Sequence, residues 1–112
     1  MGRLTTHVLN TATGLPAVGM KLILRKGNEE GGYTMLSDTV TNHDGRVDAP
    51  LLEGDAFTSG VYELTFFVGD YFQTEDAFLD EVPIRFTVDD ATRHYHVPLL
   101  VTPYSYTTYR GS

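Results

Sequence analysis

The stretch "RHYHVPLLVTPYSYTTY", residues 93–109, decides the fold. In a strand, successive side chains point to opposite faces, so residues two apart share a side. Tyr95, Val97, Leu99 and Val101 then form one apolar side, the composition of a sheet face turned to a core. His94, His96, Pro98 and Leu100 form the other, a mixture that is neither core nor ordinary surface. Thr102-Pro103 breaks the run, and residues 104–109 resume with aromatics and threonines, so the pair reads as a hairpin. Pro98 has no N–H to give a ladder, which normally confines proline to an edge or a bulge.

Working outward, the same period of two recurs. "LTTHVLN" (4–10) puts His7 and Leu9 on one face and Val8 on the other, and "GLPA" after it is a turn. "VGMKLILRKG" (18–27) alternates Met20, Leu22 and Leu24 against Lys21, Ile23 and Arg25. "YTMLSDTV" (33–40), "GVYELTFFVGD" (60–70) and "IRFTV" (84–88) are further strands, and "TNHDGRVD" is a turn with Asp44-Gly45 at its tip. Only "TEDAFLDE" (74–81) reads as helix, with Thr74 as cap, acids in the first turn and Pro83 beyond the stop. Seven to eight short strands with one short helix predict an all-β sandwich in a single domain over residues 1–112.

Composition narrows the function classes. The 112 residues carry 8 Lys and Arg against 15 Asp and Glu, a net charge of −7, which argues against a nucleic-acid or anionic-membrane surface. No run approaches the roughly 20 apolar residues of a membrane helix. The absence of cysteine rules out disulfides, thiolate chemistry and Cys-based metal sites. His94 and His96 have a spacing that can chelate zinc, but a third and fourth ligand are missing, so neither metal nor cofactor is expected. The opening "MGRLTTHVLN" lacks an apolar signal core, and Asn10 does not suit a peroxisomal signal beginning Arg-Leu. A cytoplasmic location is expected, with a peroxisomal one second.

Taken one at a time, the remaining polar candidates are bland. His43 and His94 read as surface histidines, Arg46 as a solvated turn residue and "YRGS" (109–112) as an ordinary terminus. Yet three strands each present a mixed apolar and functional face away from the core, and covering such a face with another subunit is the cheap solution.

"HVLNTATGLPAVGMKL" (7–22) and "RHYHVPLLVTPYSYTTYRGS" (93–112) together resemble the N- and C-terminal signatures of the transthyretin family, and the likeness covers essentially the whole chain. Met20 stands where a β-branched residue is more usual. The family has a branch of hormone carriers and a branch of 5-hydroxyisourate hydrolases. His7, Arg46, His96 and the "YRGS" end match the enzyme branch, where the carriers tend to have lysine, glutamate, threonine and an aliphatic tail.

The resemblance implies a transthyretin-like sandwich and a homotetramer, a dimer of dimers, with active sites in the channel between dimers. It implies one small-molecule substrate, 5-hydroxyisourate, opened by water to 2-oxo-4-hydroxy-4-carboxy-5-ureidoimidazoline in urate degradation. His7, His96, Arg46 and Ser112 are the implied catalytic residues; Arg46, Tyr109, Arg110, Gly111 and Ser112 are the implied substrate contacts. Imidazole suits a base near neutral pH, and the guanidinia suit the polar ring and should keep the histidines neutral. Gly111 lets the backbone pass close, and Ser112 is expected to bring a hydroxyl and a terminal carboxylate rather than a covalent nucleophile. The alternative is a carrier holding a small aromatic ligand in the same channel.

Overall fold

The computed structural model describes residues 2–73 and 78–111. Nine strands form two sheets: β1 (Arg3–Asn10), β2 (Leu15–Pro16), β3 (Lys21–Gly27), β4 (Tyr33–Val40), β5 (Leu52–Glu53), β6 (Gly60–Phe67), β7 (Glu81–Val88), β8 (Tyr95–Val101) and β9 (Tyr106–Thr108). One sheet runs β2-β1-β8-β9 with β5 paired to β1, and the other runs β4-β3-β6-β7. Two of the nine, β2 and β5, are only two residues long, so the seven longer strands match the sequence expectation of a sandwich.

Alternation builds the core. Leu4 and Val8 of β1, Leu22 and Leu24 of β3, Leu64 and Phe66 of β6, and Leu99 and Val101 of β8 are fully buried between the sheets. Burying each such side chain stabilises the fold by roughly 1.5–3 kcal/mol. Polar groups that enter the core have partners: Thr6 Oγ1 donates to the Val97 carbonyl at 2.7 Å, and the Tyr62 hydroxyl donates to the Thr58 carbonyl at 2.6 Å.

The central pairing of the first sheet is β1 with β8, and it is parallel. Strands 91 residues apart in sequence therefore lie side by side, with Thr5 opposite His96 and His7 opposite Pro98. The predicted hairpin of β8 and β9 forms as expected, pairing Leu99 with Thr108 and Val101 with Tyr106.

A helix stands ahead of the expected one, and the described part of the expected one is not helical. Residues 74–77 of "TEDAFLDE" lie outside the described residues, residues 78–80 have no regular structure, and Glu81 opens β7. The helix found is α1 (Val68–Phe72), five residues directly continuing β6, closed by Gln73 in the left-handed conformation with its N–H on the Gly69 carbonyl. A single turn is too short to show a helical period, so it reads as the tail of an apolar strand. Among the described residues, no helix is long and apolar enough to cross a membrane.

Candidate active site

The outward face of the β1-β8 pair collects the ionisable groups. Along β1, Leu4, Thr6, Val8 and Asn10 turn inward and are buried, leaving Thr5, His7 and Leu9 half-buried on the other side. Along β8, Tyr95, Val97, Leu99 and Val101 turn inward, leaving half-buried His96 and Leu100 outward with Pro98 between them. The register aligns these two outward rows, so imidazoles, a threonine and apolar side chains share one surface.

Arg46 reaches this surface through a turn docked on β1. The Val8 N–H donates to the Gly45 carbonyl at 2.8 Å, one residue from His7. A Cβ on Gly45 would collide with the Val8 carbonyl oxygen, and its φ of 74° is one that favours glycine. Asn42 shapes the rest of the turn: its Oδ1 accepts from the N–H groups of Asp44 and Arg46 at 2.9 and 3.1 Å. The sequence marked Asp44-Gly45 as a tip; the Asn42 side chain is what holds the turn closed. Neighbouring His43 is exposed and pairs only with Asp44 at 3.4 Å, and His94 is also exposed.

His96 is the electrostatic centre. Its pKa is lowered from the usual 6.5, first by burial, then by the positive charge of Arg46, then by His7. All three causes favour neutral imidazole, the form that can accept a proton. Nδ1 of His96 lies 2.8 Å from Thr5 Oγ1, which fixes the ring against β1. Sequence reasoning missed Thr5, because the contact exists only through the parallel register of two distant strands.

The chain end is seated on the same ring. The Gly111 N–H donates to the His96 carbonyl at 2.8 Å, and the two residues form an isolated bridge. A Cβ at Gly111 would stand 2.6 Å from His96 Cδ2, so any side chain here would push the imidazole aside. Tyr109, two residues before Gly111, is exposed. Ser112 lies outside the described residues.

Arg110 points away from this group. The alternation that turns Gly111 toward the His96 ring turns Arg110 the other way. Its Cζ sits 4.3 Å from the ring centroid of Tyr95, an inward-facing residue. The structure therefore brings together His7, Arg46, His96 and Gly111, and sets the Arg110 guanidinium over Tyr95 instead. A cleft of about 270 Å³ opens on Arg110's side, lined by Ile84, Phe86 and Tyr95 and bordered by His96 and Tyr109. Neither His7 nor Arg46 lines it, so the outward face, not this cleft, gathers the titratable groups. Among the described residues, no group of three or more His, Cys, Asp or Glu is arranged to hold a metal ion.

Residues 4–111 match the HIUase/Transthyretin family. The chain is 56% identical over 118 aligned residues to "5-hydroxyisourate hydrolase 2" of Rhizobium meliloti, covering 99% of this chain and 97% of the relative. Among solved structures, (S)-allantoin synthase superposes with a TM-score of 0.91 at 45% identity over 99% of this chain. The match spans only 44% of that protein, so this chain corresponds to less than half of it. Sea bream transthyretin in complex with thyroxine superposes with a TM-score of 0.90 at 28% identity, over 97% of this chain and 94% of the other. Backbones of an enzyme and of a hormone-bound protein thus fit equally well, and only side chains can separate the two readings.

Proposed function

The chain belongs to the HIUase/Transthyretin family and is an enzyme of its 5-hydroxyisourate hydrolase branch, and from that premise we propose that the His7–Arg46–His96 face opens 5-hydroxyisourate by histidine-activated water. The product is 2-oxo-4-hydroxy-4-carboxy-5-ureidoimidazoline. The observation that carries this reading is the state of His96: half-buried, kept neutral by burial and by Arg46, and pinned by Thr5.

Neutral His96 takes a proton from water as the oxygen attacks the ring carbonyl. The carbonyl oxygen becomes an oxyanion, the C–N bond breaks, and the proton returns to the departing nitrogen. A base in this role is typically worth ~10²–10⁴ in rate. His7, which shares the face, relays or returns the proton. Arg46 offers a planar fork to the carbonyl oxygens and to the charge that develops on them, where one aimed donor contributes on the order of 10²–10³. Tyr109 supplies an aromatic wall, and Gly111 lets the backbone lie flat against His96. Ser112 follows Gly111 directly and joins the proposal as a hydroxyl donor to substrate or water.

Half-buried Leu9 and Leu100 with Pro98 on the same face are an apolar frame that a second copy would cover. The proposal therefore includes a homotetramer with this face lining a channel, and a cytosolic setting. The deciding experiment is a spectrophotometric assay with freshly generated 5-hydroxyisourate. Loss of its absorbance well above the spontaneous rate supports the hydrolase. Binding without acceleration returns the reading to a carrier.

A further inference from the structure

Past β9 the chain loses its ladder. The last regular pair is Leu99 with Thr108, and beyond it, among the described residues, one backbone bond from the Gly111 N–H to the His96 carbonyl ties the segment to β8. One such bond nets little against the entropy of ordering three residues. Of the described residues past β9, Arg110 has a rigid partner, the Tyr95 ring 4.3 Å from its Cζ.

Its partner is unusually well fixed. Tyr95 is 4% exposed, and Phe57 packs edge-on to it with centroids 5.9 Å apart. The Tyr95 hydroxyl donates to Asp89 Oδ1 at 2.7 Å. Asp89 is held below its usual carboxylate pKa, chiefly by that hydrogen bond, with the charge of Arg110 as a smaller cause. A guanidinium over a ring whose far end is bound to a carboxylate gains from the ring face and from the negative charge together.

We propose that Arg110 is a positioning residue, a clasp whose stacking on Tyr95 holds the end of the chain so that Gly111 seats against the His96 imidazole. The two residues grip opposite faces of β8, Arg110 from the core side and Gly111 from the ring side. The role rests on the hydrolase reading of this face. It makes Arg110 an anchor and leaves Arg46 as the guanidinium that meets substrate.

The test compares Arg110→Gln, Arg110→Lys and Tyr95→Phe in the full-length protein, reading kcat, KM and hydrogen exchange at the Gly111 amide. Arg110→Gln is expected to lower kcat by roughly tenfold with KM changed less than about twofold, since misplacing a catalytic group costs rate more than binding. The same variant should lose protection at the Gly111 amide. Arg110→Lys keeps a cation over the ring and should restore most of both. Tyr95→Phe keeps the ring and should preserve most of the protection while weakening the tie to Asp89. A large rise in KM for Arg110→Gln with Gly111 protection unchanged would overturn the clasp and return Arg110 to substrate binding. The exchange measurement stands without turnover, so a failure of the hydrolase reading and a failure of the clasp give different results.

Discussion

The two sides of β8 differ by one residue in phase and by everything in purpose. Tyr95, Val97, Leu99 and Val101 face a sealed core in which Leu99 and Val101 have no exposed surface. His96 and Leu100 face outward, half-covered, beside His7 and Thr5 of the neighbouring strand. The inner row is held chiefly by packing, with Tyr95 also tied to Asp89. The outer row is held by specific polar contacts: Thr5 on the His96 ring, Gly45 docked on β1, and Gly111 on the His96 carbonyl. If the proposed chemistry sits on the even positions of this seven-residue strand while the odd ones carry stability, stability and turnover should be separable by single substitutions.

The comparison breaks most sharply at His96. Replacing it with Asn should lower kcat/KM by ~10²–10⁴ while leaving the thermal unfolding midpoint nearly unchanged; a parallel loss of stability would show that the two sides are not independent. The mirror experiment is Leu99→Ala, which should cost about 2–5 kcal/mol in denaturant unfolding and leave kcat of the folded fraction intact. Gly111→Ala places a Cβ against His96 Cδ2, and a displacement of that kind costs on the order of 10² in kcat. It is checked by kinetics beside circular dichroism that should show no change. Thr5→Val removes one hydrogen bond to Nδ1, worth about 0.5–1.5 kcal/mol; kcat should fall several-fold and Thr5→Ser should recover it.

How much of this was legible in the sequence differs along the same line. The inner row could be read directly, because a period of two in Val, Leu and Tyr has one physical meaning. The outer row could be seen as anomalous, and resemblance supplied its purpose, but its partners could not be derived. Thr5 meets His96 because β1 and β8 run parallel across 91 residues, and strand patterning says nothing of which strands pair. The hinge of the Arg46 turn was visible as Asp44-Gly45; its lock, Asn42, was not. Arg110 was legible as a candidate, but its contact with Tyr95 was not, because that contact depends on how the chain runs past β9. The helix was lost for a different reason. Five residues following the apolar run of β6 carry no helical period, while the acid-rich 74–81 stretch, of which 78–80 are irregular, has the composition of one.

The proposed mechanism depends on an uncharged imidazole at position 96. Lowering its pKa in the folded state means that acid must protonate it against burial and Arg46. The fold therefore loses stability as pH falls from about 6.5, the unfolded value, through the folded pKa, and the acid limb of kcat/KM lies in the same window. The most direct measurement is the protonation midpoint of His96 by imidazole NMR, set beside that acid limb in wild type and in Arg46→Gln. Coincident midpoints below about 6.5, both moving upward when the Arg46 charge is removed, are the expected result. A His96 midpoint at or above that value, or a rate limb that ignores it, would contradict the assignment of His96 as the base.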